Sequence, residues 1–176
     1  MVSTGFVREP AAVSIEEQVA QMFEETRGDV YRYLLTLGLD PGRAQEAAQD
    51  VFLRLYQTLR KRNDIENKRA WIFRVAHNVG LRLRSRESIS QPFEPEMEAR
   101  LPDPQKDPEQ NAMERQQMIR LHRAVETLSS QQRQCLYLRA EGFRYHEIAS
   151  ILGISDSTVG EFLRRAIHRL RKATHD

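Results

Sequence analysis

The chain has 176 residues, with 27 basic and 25 acidic side chains and a formal net charge of +2 at pH 7. This length allows one domain or two small ones, each with a modest hydrophobic core. The single cysteine, Cys135, excludes a disulfide framework and a cysteine-based zinc site within the chain, and its apolar neighbours predict a buried, inert thiol.

The charge is distributed in blocks along the chain. Residues 1–53 carry four basic and nine acidic side chains, whereas residues 54–86 carry ten basic and two acidic ones. An acidic stretch, residues 87–138, separates this block from a moderately basic one, residues 139–176. Two basic blocks indicate two contact patches for a polyanion. On composition alone, it is equally consistent that these blocks form arginine-rich helices that are solvated and bind no polyanion.

The N-terminal segment lacks the basic start and apolar core of a secretory signal. No uninterrupted apolar run approaches the roughly 20 residues that cross a bilayer. We therefore predict a cytoplasmic protein that does not associate with membranes. Residues 1–13 have no assigned role, and we expect them to be disordered.

Residues 14–86 are predicted to form three helices. Apolar side chains recur at helical spacing from Ile15 to Leu37. The sequence GLDPG then interrupts the pattern, and Asp40 suits the N-cap and Pro41 the first position of a second helix. That helix carries its own apolar stripe.

Asn67 can cap the third helix, whose apolar stripe forms a core face. The helical spacing places Arg74, His77 and Asn78 on the opposite, outward side. Trp71 borders the apolar stripe, and we interpret it as a core residue.

The next segment reads as a linker over residues 87–110. Five of the seven prolines lie between Pro92 and Pro108, in a stretch that is acidic and poor in aliphatic residues. No segment of the chain alternates with period two. We therefore predict an all-α protein in which two small helical domains, residues 14–86 and 111–176, are joined by a Pro-rich flexible linker.

The second domain is predicted to contain four helices. The first runs from about Ala112 to Leu128 with Met118 facing inward, and the second from about Ser130 to Ala140. Gly142 follows as a left-handed C-cap.

Residues 145–172 have the pattern of a helix-turn-helix. Ala149 supplies the small side chain at the helix crossing, Gly153 tolerates the positive φ of the turn, and Ser155 can cap the second helix. Five basic residues follow without an intervening acid, a pattern typical of a recognition helix that meets base edges and phosphates. They are Arg164, Arg165, Arg169, Arg171 and Lys172.

The sequence contains no clear enzyme motif or metal-binding motif. HEIAS begins like a zinc-protease motif, but Ser150 occupies the place of its second histidine. The five histidines form no cluster with metal-ligand spacing, and there is no glycine-rich phosphate loop. We predict no catalytic activity, no metal and no cofactor.

Three segments together indicate a family. AQEAAQDVFLRLYQTL (44–59), NKRAWIFRVAHNVGLRLRSR (67–86) and the stretch 124–172 resemble the extracytoplasmic-function (ECF) group of bacterial sigma factors. The resemblance implies region two and region four joined by a flexible linker, which leaves the domains mobile in the free protein. It implies a transcription initiation factor that binds core RNA polymerase, recognises the −10 and −35 promoter elements and assists melting. A cognate anti-sigma factor is common in the group.

The resemblance also assigns residues to surfaces. The positions that match the polymerase-binding helix are Glu46, Gln49, Asp50 and Arg54. The positions that match the −10-recognising loop and helix are Arg62, Asn63, Asp64, Asn67, Lys68, Arg69, Arg74, His77, Asn78, Arg82 and Arg84. The positions that match the −35-reading helix are Ser157, Thr158, Glu161, Arg164 and Arg165.

Two residues depart from the family pattern, which commonly has a basic and a small hydroxyl residue after the sequence TV. This chain has Gly160 and Glu161 there. Gly160 loses a phosphate contact, and it lowers helix propensity by up to about 1 kcal/mol. A carboxylate can accept from a cytosine amino group, so we treat Glu161 as a candidate base-reading residue.

Two other functions remain open at this point. A stand-alone helix-turn-helix regulator would have a similar reader, but it does not account for the arginine-rich first domain. A helical adaptor or anti-sigma-type protein would make protein contacts only, which the basic run after Phe162 argues against.

Overall fold

The structure, a computed structural model, describes residues 13–61, 65–86 and 108–175. These residues form seven helices and no strand, which confirms the all-α prediction. The helices are α1 (Ile15–Thr36), α2 (Pro41–Lys61), α3 (Lys68–Arg86), α4 (Pro108–Glu126), α5 (Ser130–Ala140), α6 (Tyr145–Leu152) and α7 (Asp156–His175). The predicted N-terminal tail up to residue 12 and the predicted linker from 87 to 107 lie outside the described residues.

Helices α2 and α3 begin at the capping residues that the sequence predicts. The Asp40 carboxylate accepts from the backbone N–H of Arg43 at 3.1 Å, and the Asn67 side-chain oxygen accepts from the N–H of Ala70 at 2.9 Å. Each cap satisfies a backbone donor that lacks a partner within its helix.

Helices α1, α2 and α3 pack against one another as a three-helix bundle. Gly80 allows the close approach of α3 to α1, because a Cβ at this position would lie 2.5 Å from Leu37 Cδ1 and 3.2 Å from Leu34 Cδ2. Real carbon–carbon contacts are about 3.5–4.0 Å, so a larger residue must displace one of the two leucines.

Helix α7 packs against α4, α5 and α6 in the second bundle. Gly153 ends α6 in the left-handed conformation with φ of 68°. The Ser155 hydroxyl accepts from the N–H of Thr158 at 3.2 Å and so caps α7. Ala149, the predicted small residue at the crossing, is buried.

Helix α4 differs from its prediction in two respects. It begins at Pro108, so the last residues of the predicted linker are helical. Met118, predicted to face inward, is 45% exposed. The inward prediction is wrong because α4 packs mainly on the single neighbour α7, which covers a narrower stripe than the apolar pattern suggested.

The two bundles pack against each other through α1 with α5 and α3 with α6. The rings of Tyr33 and Tyr137 have centroids 5.6 Å apart, and those of Phe73 and Phe143 are 5.0 Å apart. The Tyr137 hydroxyl donates to the backbone carbonyl of Asp29 at 2.9 Å. The two bundles are therefore docked in this structure, and the mobility of the domains in the free protein stays a prediction.

Candidate nucleic-acid and polymerase interfaces

The residues assigned to polymerase binding lie on the side of α2 that faces away from the core. Glu46, Gln49 and Arg54 are exposed and Asp50 is half-buried, with Arg54 Nε 2.8 Å from Asp50 Oδ2. Leu53 shares this face and is 55% exposed. The sequence analysis did not identify Leu53. Its position outside the apolar stripe of α2 is a signal that could have identified it as an exposed aliphatic residue. We call these five residues the α2 surface.

A recess of about 240 Å³ lies between α2 and α3. Its lining combines three cations with two amides and an aromatic ring, a set that suits stacked bases and phosphates. Trp71 is half-buried and lines this recess, so its interpretation as a core residue is only partly right. The α2–α3 recess is lined by Arg54, Gln57, Thr58, Lys61, Trp71, Val75, Asn78 and Arg82.

His77 lies inside the first bundle and not on its outer face. It is 5% exposed, and its Nδ1 is 2.9 Å from the hydroxyl of the buried Tyr33. Burial lowers the pKa of the His77 imidazole. The prediction that His77 faces DNA is therefore wrong, because α1 covers this position of α3. Arg74 and Asn78 are exposed, as expected.

Two of the residues assigned to the −10 element lie in the contact between the bundles. Arg69 donates to the Glu141 carboxylate at 3.0 Å and to its backbone carbonyl at 2.9 Å, and its guanidinium lies 4.5 Å from the centre of the Phe143 ring. Asn67 Nδ2 donates to Glu147 Oε1 at 2.8 Å. In this arrangement, residues of the second bundle accept hydrogen bonds from both side chains.

Three further residues assigned to the −10 element lie along α3. Lys68 is half-buried, whereas Arg82 and Arg84 are exposed. Arg84 also donates to the backbone carbonyl of Leu37 at 3.4 Å and so contributes to the end of α1. The predicted loop contacts Arg62, Asn63 and Asp64 lie outside the described residues.

The residues assigned to the −35 element lie along the first half of α7. Ser157, Arg164 and Arg165 are exposed, and Thr158 and Glu161 are half-buried. We call these five residues the α7 surface. They share one accessible part of the helix, opposite the buried side that packs on the rest of the bundle.

The Glu161 carboxylate accepts hydrogen bonds from two arginines on the next turn. Its partners are Arg164 and, at 2.6 Å, Arg165 Nε. The hydrogen bond from Arg164, followed by the one from Arg165, lowers the pKa of the Glu161 carboxyl. The i,i+3 and i,i+4 spacing could have predicted this arrangement. An ionised Glu161 therefore orients two guanidinium groups on the α7 surface.

Metal-binding groups, reactive thiols and membrane-spanning helices were also considered in the part of the chain that the structure describes. No group of three histidine, cysteine, aspartate or glutamate side chains there could hold a metal ion. Cys135 is buried as predicted, and burial raises the pKa of its thiol to about 11. None of the seven described helices combines the length and hydropathy that a membrane span requires.

Comparison with known families decides the classification. The family model for sigma-70 region 2 matches residues 22–88, and the model for sigma-70 region 4 matches residues 118–170. The ECF sigma factor RpoE of Cereibacter sphaeroides is 30% identical over 164 residues, which cover 89% of this chain and 86% of RpoE. The chain belongs to the ECF sigma-factor family.

Other relatives agree with this classification. The ECF sigma factor SigK of Mycolicibacterium vanbaalenii is 26% identical over 160 residues, covering 89% of this chain and 81% of SigK. A solved structure of RpoE with the anti-sigma factor NepR from Bartonella quintana has the same fold, with a TM-score of 0.63 and 21% identity over 89% of this chain and 96% of that one. CnrH in complex with the cytosolic domain of CnrY gives a TM-score of 0.60 and 19% identity over 89% of this chain and 87% of that one.

An ECF sigma factor directs RNA polymerase to promoters, and this is the function of the chain. The family consists of transcription initiation factors and not of enzymes. A stand-alone helix-turn-helix regulator is not favoured, because the match to region 2 lies wholly outside the bundle that contains the reader.

Proposed function

We propose that this sigma factor performs its task with three separate surfaces on two domains. In this proposal residues 14–86 act as region two and residues 111–176 as region four. The α2 surface binds core polymerase, the α2–α3 recess with its basic neighbours engages the −10 element, and the α7 surface reads the −35 element. The observation that carries the proposal is that the three surfaces present accessible side chains at different places, and that Arg54 is the one residue that two of them share.

The composition of the α2 surface supports the polymerase assignment. Leu53, an exposed aliphatic side chain, is surrounded by polar and charged residues. An apolar centre within a polar rim is the usual anatomy of a protein–protein contact. The salt bridge between Asp50 and Arg54 holds two of the rim side chains in place.

The α2–α3 recess supports the assignment to the −10 element. Opening a duplex costs a few kcal/mol for each extruded base, and stacking on an aromatic ring returns about 1–3 kcal/mol per base. Trp71 offers such a ring, and Asn78 offers hydrogen bonds to a base edge. Arg74 and Arg82 are exposed nearby and supply phosphate contacts. In this proposal, His77 supports the bundle and does not touch DNA.

The docking of the two bundles adds a condition to this mechanism. Glu141 and Glu147 bind the side chains of Arg69 and Asn67 in the docked arrangement, so contact of these two side chains with DNA competes with the docking. We propose that binding to core polymerase separates the bundles and releases both side chains. The loop residues Arg62, Asn63 and Asp64 remain predictions from the resemblance, as does a cognate anti-sigma factor.

Paired variants test whether the surfaces are separate. We expect the double variant Gln49→Ala/Leu53→Ala to lose at least about tenfold in affinity for core polymerase, and its affinity for duplex DNA to stay unchanged. We expect Arg164→Ala/Arg165→Ala to show the reverse pattern. Fluorescence anisotropy with labelled sigma factor measures the first affinity, and anisotropy with labelled DNA measures the second. If both variants weaken both affinities equally, the proposed separation is wrong.

A further inference from the structure

Four charged side chains meet where the two bundles touch. Asp29 and Arg32 lie on α1, Arg69 lies on α3, and Glu141 follows α5 in the second bundle. Arg69 Nη2 is 3.0 Å from Glu141 Oε2 and 4.0 Å from Asp29 Oδ2. Arg32 pairs with the other Asp29 oxygen. We call these four residues the interbundle charge cluster, and the family resemblance gives no role to three of them.

The interbundle charge cluster is electrically neutral only while Arg69 belongs to it. Two guanidinium groups balance its two carboxylates, and without Arg69 the cluster keeps Arg32 alone as its cation. Arg32 is exposed, so water screens its charge, whereas Asp29 and Glu141 are half-buried. Each carboxylate has an oxygen within 4.0 Å of the same Arg69 nitrogen. Loss of that guanidinium therefore leaves two like charges close together in a partly desolvated contact.

The acidity of Glu141 shows the effect of this neighbouring charge. Burial raises the pKa of the Glu141 carboxyl, and the negative charge of Asp29 raises it further. Arg69 and Arg32 act in the opposite direction, but the pKa stays above its ordinary value. The docked arrangement thus holds an ionised Glu141 in an unfavourable place, and the arginines only partly compensate.

Arg69 is the member of the cluster that nucleic acid competes for. Its guanidinium lies 5.4 Å from the centre of the Phe73 ring on α3 and 4.5 Å from that of Phe143 in the second bundle. It also donates to the backbone carbonyl of Glu141 at 2.9 Å. A phosphate group offers a guanidinium the same paired hydrogen bonds as a carboxylate does. Phosphates and Glu141 therefore compete for one side chain.

We infer that the interbundle charge cluster is a switch that the phosphate backbone of nucleic acid opens, even without polymerase. The inference rests on the proposed assignment of Arg69 to DNA. Phosphate contacts withdraw Arg69 from the cluster, the carboxylates of Asp29 and Glu141 then repel each other, and the second bundle separates from α1 and α3. Coupling between two equilibria is reciprocal, so separation of the bundles by core polymerase raises the affinity of Arg69 for DNA by the same factor.

Energy transfer between dyes on the two bundles measures the docked fraction of the full-length chain. The dyes are attached to cysteines introduced by Glu24→Cys on α1 and His168→Cys on α7, two exposed positions outside the cluster, in a Cys135→Ala background. The probe is single-stranded DNA of mixed sequence, about 16 nucleotides long. A methylphosphonate oligomer of the same sequence has no backbone charge and is the control. We expect the DNA to lower the energy transfer and the neutral oligomer to leave it unchanged.

Variants test the repulsion without any DNA. We expect Arg69→Gln to lower the equilibrium constant for docking at least about tenfold, because it removes an ion pair and a cation–π contact and leaves the carboxylates unopposed. Adding Glu141→Gln removes the repulsion, and we expect it to restore about fivefold. Arg60→Gln is the matched control, since Arg60 is an exposed arginine over the Tyr56 ring on α2, and it leaves the docked fraction unchanged. Circular dichroism verifies that every variant is folded.

Three results overturn the inference. The first is an Arg69→Gln variant that docks as firmly as the unaltered chain, and the second is a Glu141→Gln addition that restores no docking. The third is DNA that binds, as followed by anisotropy, without lowering the energy transfer. If the DNA does not bind at all, the proposed assignment of Arg69 to DNA fails and the switch has no ligand. The variant comparison, which contains no DNA, distinguishes that failure from a failure of the repulsion.

Discussion

Arg69 and Glu141 form a salt bridge of 3.0 Å that joins the two helical bundles across 72 residues of sequence. The guanidinium also lies over the Phe143 ring, and both charged side chains are mostly shielded from solvent, with 33% and 21% of their surfaces exposed. The same arginine belongs to the basic block that the family resemblance assigns to promoter DNA. The Arg69 side chain thus stabilises the docked arrangement of the bundles and is also a candidate for DNA binding.

A double-mutant cycle on Arg69→Ala and Glu141→Ala measures the strength of this link. We expect a coupling free energy of about 1 kcal/mol, because the pair is partly buried and has an additional hydrogen bond to a carbonyl. The exposed pair of Asp50 and Arg54 serves as the control, with an expected coupling of about 0.3–0.5 kcal/mol. Urea unfolding followed by circular dichroism provides the free energies. Coupling no larger than that of the control means that the bundles dock without this pair.

His77 makes the stability of the fold depend on pH. Burial lowers the pKa of its imidazole, so the unfolded chain binds the proton more readily than the folded one. The free energy of unfolding therefore decreases as pH falls below the unfolded value of about 6.5. We expect His77→Gln, which keeps a hydrogen-bonding partner for Tyr33, to flatten this part of the profile. The partly exposed His122 is the control, and an unchanged profile in His77→Gln contradicts the prediction.

Two glycine-to-alanine variants separate close packing from helix propensity. At Gly80 the added methyl group meets Leu37 and Leu34, so we expect a loss of about 1–3 kcal/mol in the free energy of unfolding. At Gly28 the nearest atom is 3.5 Å away, at the flexible end of Arg32. There alanine favours the helix, and we expect a gain of about 0.5–1 kcal/mol. Urea unfolding measures both, and a stabilised Gly80→Ala contradicts the described approach of α3 to α1.

Glu161 restrains two arginines on the α7 surface, and its removal makes both available to phosphates. We expect Glu161→Gln to bind mixed-sequence duplex more tightly and to steepen the salt slope by about one to two. The exposed Glu24→Gln is the charge-matched control and leaves the slope unchanged. A −35 library separates this role from base reading. If Glu161→Gln ranks the library as the unaltered chain does, Glu161 reads no base.

The local features of the fold could be predicted from the sequence because they depend on neighbouring residues. The caps at Asp40 and Asn67 and the left-handed Gly153 follow from short-range chemistry. The pairing of Glu161 with Arg164 and Arg165 follows from helical spacing, although we did not predict it. Contacts between the bundles could not be predicted in this way, since no periodic rule links Arg69 to Glu141.

The errors at His77 and Met118 have one physical cause. Helical periodicity gives the direction of each side chain, but it does not give the number of neighbouring helices. Helix α1 covers a wider part of α3 than its apolar stripe indicates, and this buries the polar His77. Helix α4 has fewer neighbours than its stripe indicates, and this exposes Met118.

The most direct test of promoter-directing activity is run-off transcription on a genomic fragment library with core polymerase, with and without the protein. Sequencing of the transcript ends maps each new start. The account predicts new starts that share two upstream motifs, one for each DNA-reading bundle, and predicts that Gln49→Ala/Leu53→Ala reduces all of them alike. Binding to core polymerase without new starts, or no binding to core at all, would contradict it.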